Sequence, residues 1–135
     1  MELISQITTQ AIILNDQKKI LLLKRNKEGG LFTLPGGTIH KGEKVAEGLE
    51  RELFEETGLK IKPKSPVWIW QSDHIGRDLL GIVYSTKEFI KPSTKIIISP
   101  EHDKVAWFSL DEYFYDDSVD PYIKREEIKD LFNEK

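Results

Sequence analysis

Glu52, Glu55 and Glu56 stand three and four residues apart in a proline-free stretch, residues 44–57, that ends at Gly58. On an α-helix those spacings return to one face, because side chains three and four apart lie one above the other. Three carboxylates on one face repel each other, and such an oxygen-rich group suits magnesium or manganese rather than a soft metal. The apolar arc of the same helix, Val45, Ala46, Leu49 and Leu53, overlaps the angular position of Glu56 and adjoins that of Glu52. A merely solvated acidic face would lie opposite the core. Carboxylates drawn to the margin of a low-dielectric surface need a partner, a metal or a proton, so the arrangement favours a built site over surface decoration.

The surroundings strengthen that reading. Residues 37–59 read GTIHKGEKVAEGLERELFEETGL. They satisfy every defining position of G-x5-E-x7-R-E-U-x-E-E-x-G-U, with U a bulky aliphatic: Gly37, Glu43, Arg51, Glu52, Leu53, Glu55, Glu56, Gly58 and Leu59. At ordinary residue frequencies a complete chance match has odds on the order of 10⁻⁷. In this segment, and in the preceding Leu34-Pro35-Gly36-Gly37, the sequence resembles the Nudix family.

The resemblance implies an α/β/α sandwich with a mixed β-sheet between helices. It implies Mg²⁺-dependent hydrolysis, with Mn²⁺ as a substitute, of a diphosphate linkage in a nucleoside diphosphate derivative. Four groups would then form the metal shell: the Gly36 carbonyl, Glu52, Glu55 and Glu56. Glu43 would orient the site. Arg51 has two open roles, pairing with Glu55 four residues on or orienting a neighbouring carboxylate. The general base is open between Glu52 and Glu101, the latter in SPEHDKVAWF, where many family members carry a late glutamate. The helix holds Glu52 rigidly beside the other acids, which favours it, whereas Glu101 sits on an expected loop and reads equally well as an exposed acid.

Other polar and aromatic positions carry weaker expectations. Arg25 and Lys27 precede the glycines of a loop, residues 26–30, and either meet distal phosphates or face solvent. Phe32 is a candidate for stacking on a base, although core packing is the favoured role for Phe32, Trp68, Trp70 and Tyr84 alike. His102 and Asp103 read as surface residues, with contact to substrate as the alternative for His102, and His40 and Lys41 occupy unconstrained positions.

These residues need a scaffold. Residues 4–14 are rich in Ile and Thr, Asn15 and Asp16 supply turn chemistry, and residues 20–24 form a continuous apolar run: two strands, the second buried on both faces. Strands are also expected at 67–72 and 79–89, around a turn at 74–77, and at 95–98 and 105–108. Ser109 and Glu112 have capping-box spacing. Asp120-Pro121 signals a terminal helix whose buried stripe is Ile123, Ile128, Leu131 and Phe132. Strands flanking a central helix, with another helix at the end, suggest a mixed sheet between helices.

At 135 residues the chain suits one domain, 1–135. Cysteine is absent, which excludes thiolate zinc sites and cysteine nucleophiles. The formal charge of −3 offers no broad attraction to extended nucleic acid or membrane, so a polyphosphate partner needs a local device such as bound metal. A cytoplasmic location is expected, and a homodimer is compatible with the resemblance. Pro63 and Pro66 come too early for the proline usual in ADP-ribose hydrolases, and the tyrosine expected of dinucleoside polyphosphate hydrolases is missing. Both absences lean towards a nucleoside triphosphate cleaved to monophosphate and pyrophosphate. The alternatives are those two substrate classes, or a nucleotide-binding sensor on the same fold.

Overall fold

A computed structural model of the chain describes residues 5–25, 30–72 and 78–132; the expected turn at 74–77 and Lys27 lie outside these. The strands are β1 (Ser5–Ile12), β2 (Ile20–Arg25), β3 (Phe32–Thr33), β4 (Gly36–Thr38), β5 (Pro63–Ser72), β6 (Asp78–Thr86) and β7 (His102–Phe108). The helices are α1 (Val45–Thr57), α2 (Leu110–Tyr115) and α3 (Glu126–Phe132).

The expected mixed sheet is divided in two. One sheet has the order β4-β1-β6-β5, with β1 parallel to β6 and its other pairings antiparallel. The second, β3-β2-β7, is antiparallel throughout. The two are stitched where the chain leaves β1, since the Leu21 N–H donates to the Ile13 carbonyl at 2.9 Å and Leu14 bridges Ile20.

Alternation along these strands builds two cores. Ile12, Leu14, Ile20 and Leu22 point to one side, where they meet Tyr113 of α2 and Ile128, Leu131 and Phe132 of α3. Ala11, Ile13 and Leu21 point to the other, where they meet Leu49 and Leu53 of α1. Residues Ile20 to Leu23 are fully buried, as a strand covered on both faces must be. The result is the α/β/α sandwich expected from the sequence.

α1 begins one residue later than expected, with Lys44 as an N-cap that makes no side-chain bond. It ends at Gly58, whose φ of 74° is the left-handed conformation glycine adopts without strain. The capping box of α2 closes in both directions. Three expectations need correction. β5 starts at Pro63 rather than Val67, because an edge strand with register shifts tolerates residues that cannot donate to a ladder. Residues 95–98 form no strand; the Ile97 N–H instead caps the Thr57 carbonyl of α1 at 3.0 Å. The terminal helix is interrupted, with a 3₁₀ turn at Pro121–Ile123 before α3, yet its stripe is buried as expected.

Candidate active site

Two consecutive glycines of β4 lie beneath two acids of α1. Gly36 has φ of 146°, and a Cβ there would stand 2.0 Å from the Thr9 carbonyl oxygen, so no other residue fits. Its N–H donates to Glu56 Oε1 at 2.7 Å. A Cβ on Gly37 would stand 2.6 Å from both Cδ and Oε2 of Glu52. Gly36 thus lets β4 lie close against β1 and offers its N–H to one carboxylate, Gly37 makes room for the other, and α1 aims both at the same short strand.

The cost of this placement is desolvation. Glu56 is only 5% exposed, and burial pushes its carboxyl up to about 8; the neighbouring charges of Glu52 and Glu101 act in the same direction. The Gly36 N–H and the charge of Arg25 oppose the rise without cancelling it. Burial also raises Glu52, against the counteracting pull of Arg51. A pair of partly desolvated, mutually repelling oxygen donors above a glycine cradle suits a small hard cation. Among the described residues, however, no three acids or histidines already converge as a cage. Glu55 stands further out, its side chain 54% exposed.

Arg51 organises the outer side of the cluster. Nε and one terminal nitrogen grip Glu43 at 2.7 and 3.1 Å, while the other terminal nitrogen donates to Glu52 and Glu55, each at 3.1 Å. Both roles left open by the spacing are therefore realised at once. The grip of Arg51, aided by the His40 N–H, holds the Glu43 carboxyl down at about 2, and Glu43 in return raises the Arg51 guanidinium. His40 contributes its backbone, while its ring and Lys41 are exposed.

Glu101 lies on the turn before β7, exposed but near enough for its charge to act on Glu52 and Glu56. Arg25, at the exposed end of β2, also acts on Glu56. Phe32 sits edge-on to Phe108 with ring centroids 5.0 Å apart and joins the core on the α2/α3 side. Trp68 and Trp70 pack on that core and Tyr84 on the other, as favoured from sequence.

The residue that sequence reasoning missed is His102. It is 6% exposed rather than a surface residue, with Nδ1 3.1 Å from Ser99 Oγ and Nε2 3.9 Å from Glu56 Oε2. The cause is a bulge: between Lys24 and Arg25 the register with β7 shifts, so Lys24 faces Lys104 while Arg25 faces His102. Alternation along β7 is broken there, and His102 arrives on the α1 side together with Val105 and Trp107.

Comparison with known proteins agrees with this construction. A protein from Methanocaldococcus jannaschii named ADP-ribose pyrophosphatase is 45% identical over 54% of this chain and 43% of its own length. A putative 8-oxo-dGTP diphosphatase of Bacillus subtilis is 40% identical over 44% of this chain and 40% of its own length. The chain thus spans less than half of these curated relatives. The crystal structure of a MutT protein from Methanosarcina mazei superposes with a TM-score of 0.83 at 26% identity, covering 100% of this chain and 99% of that one. With residues 5–129 matching the NUDIX domain, and with the glycine cradle and its two acids falling inside that match, the chain belongs to the NUDIX domain family.

Proposed function

We propose that this chain is a hydrolase that cuts the diphosphate linkage of a nucleoside diphosphate derivative with the help of Mg²⁺, most simply a nucleoside triphosphate to monophosphate and pyrophosphate. The observation that carries the reading is the pair of acids over consecutive glycines, Glu56 on Gly36 and Glu52 on Gly37. Glu52, Glu55, Glu56 and the Gly36 carbonyl would hold the ion. Bound magnesium neutralises phosphate oxygens and makes water a better nucleophile.

The chain's own residues do the rest. Glu52, fixed on a helix and raised by burial, accepts the proton of the attacking water. Arg51 keeps Glu52 and Glu55 from drifting apart or collapsing on each other. Glu43 locks Arg51 in turn. Arg25 supplies a positive charge at the open side, suited to a distal phosphate, while Phe32, half-buried against Phe108 on the α2/α3 side, is left with only its exposed edge for a base.

The substrate is set outside the diphosphate-cutting motif, so fold and motif do not choose the base. ADP-ribose and 8-oxo-dGTP belong in the test because proteins bearing those names are among the relatives. The test is a panel of nucleoside triphosphates, oxidised purine triphosphates, ADP-ribose and dinucleoside polyphosphates incubated with Mg²⁺, with products separated by chromatography. Hydrolysis that survives a chelator, or binding without product from any substrate, would overturn the proposal, the latter in favour of a sensor.

A further inference from the structure

We infer that His102 is a positioning residue for the metal-binding carboxylate Glu56, tying that carboxylate to the turn that carries Glu101; this rests on the hydrolase reading above. Glu56 has two oxygens with different neighbours. Oε1 receives the Gly36 N–H at 2.7 Å, whereas Oε2 faces His102 Nε2 at 3.9 Å. Between them, a backbone amide and an imidazole limit how the carboxylate can rotate.

The imidazole is itself fixed. Its other nitrogen meets Ser99 Oγ at 3.1 Å, and the His102 N–H donates to the Ser99 carbonyl at 3.0 Å, closing the turn 99–102 through both side chain and backbone. Glu101 is inside that turn. One histidine therefore links the acid on α1 to the turn that carries the acid on the loop, and its side chain is almost completely buried beside Glu56. Buried polar side chains of this kind orient ligating groups, and loss of such a partner commonly costs roughly 10- to 100-fold in metal affinity or activity.

The experiment uses manganese alone as the probe, titrated into the metal-free chain and followed by the electron paramagnetic resonance signal of free Mn²⁺, alongside steady-state kinetics. His102→Ala is expected to weaken Mn²⁺ binding roughly 10- to 100-fold and to lower kcat while leaving KM for the nucleotide within about threefold. His102→Gln, whose amide can still donate towards Glu56, should recover most of the loss. Ser99→Ala, a milder change that leaves the ring in place, should shift Mn²⁺ affinity in the same direction by a smaller factor, and it decides the matter if His102→Ala does not fold. Wild-type Mn²⁺ affinity in His102→Ala, or in Ser99→Ala should the former not fold, would overturn the inference. So would equal losses in His102→Ala and His102→Gln. If the wild type binds Mn²⁺ but hydrolyses nothing, the hydrolase reading alone fails, and the Mn²⁺ titrations still decide the role of His102. A wild type that binds no Mn²⁺ overturns both.

Discussion

α1 and α3 are both acidic helices, and they treat their acids in opposite ways. In α3, Glu126 and Glu127 are exposed at the first turn, where negative charge suits the helix dipole, and they pair with Lys129 at 3.1 Å and Arg125 at 3.3 Å. Backbone hydrogen bonding at the helix start lowers Glu127, so its charged form is welcome there. In α1, Glu52 and Glu56 lie towards the core and burial raises both. The proportion of acids does not separate the two helices. What separates them is where the carboxylates fall relative to the apolar arc, because an acid on that margin is held in an unfavourable state unless something else is meant to bind it.

Substitution by glutamine tests this contrast directly. Glu56→Gln should reduce Mg²⁺-dependent turnover to background in a folded protein, checked by product release and circular dichroism. Glu52→Gln should lower the single-turnover rate by roughly 10² to 10⁴ fold with little change in substrate affinity, the usual contribution of a positioned base. If Glu101→Gln costs more than Glu52→Gln at saturating magnesium, the base is Glu101 instead. Arg51→Lys, which keeps the charge but not the fork that spans Glu43, Glu52 and Glu55, should cost about 10- to 100-fold in kcat.

A thermodynamic version of the contrast needs no substrate. Glu56 titrates at about 8 in the folded chain against an ordinary 4.5, so between those values the folded chain keeps a proton that the unfolded chain releases. Metal-free stability should therefore be highest below about pH 4.5 as far as this group is concerned, and should fall as pH rises to about 8. Melting temperatures measured in chelator across that range should show the decline, and Glu56→Gln should flatten it. On α3 the smallest effect is expected: Glu126→Gln and Glu127→Gln should each shift stability by no more than about 0.5 kcal/mol and leave turnover unchanged.

Much of this was legible from residue types alone. The C-terminal limit of α1, the capping box of α2 and the doubly buried β2 follow from local chemistry, in which a glycine, a serine with its glutamate or an apolar run specifies its own surroundings. The buried stripe of Ile123, Ile128, Leu131 and Phe132 was legible too, although the break in the helix carrying it was not. What failed to show were features decided by partners distant in sequence. Residues 95–98 have strand-like composition but meet the end of α1 rather than a neighbouring strand. His102 looks like a loop residue until the bulge opposite Arg25 turns it inward. The site followed the same division. The spacing of Glu52, Glu55 and Glu56 announced a cluster, but which two would sit over the glycines, and that Arg51 would take on several acids together, depended on how α1 lies across β4.

The two prolines of β5 have a consequence for how copies of this chain behave at high concentration. Strand edges are where folded proteins adhere to one another, by extending a neighbour's hydrogen-bond ladder into their own. β5 is an edge, yet Pro63 and Pro66 lack the N–H that such extension requires, and the shifts of register around them bend that half of the strand out of line. Poor strand formers are placed where good ones would invite aggregation. Replacing both by threonine or valine would make a more regular strand and a stickier protein.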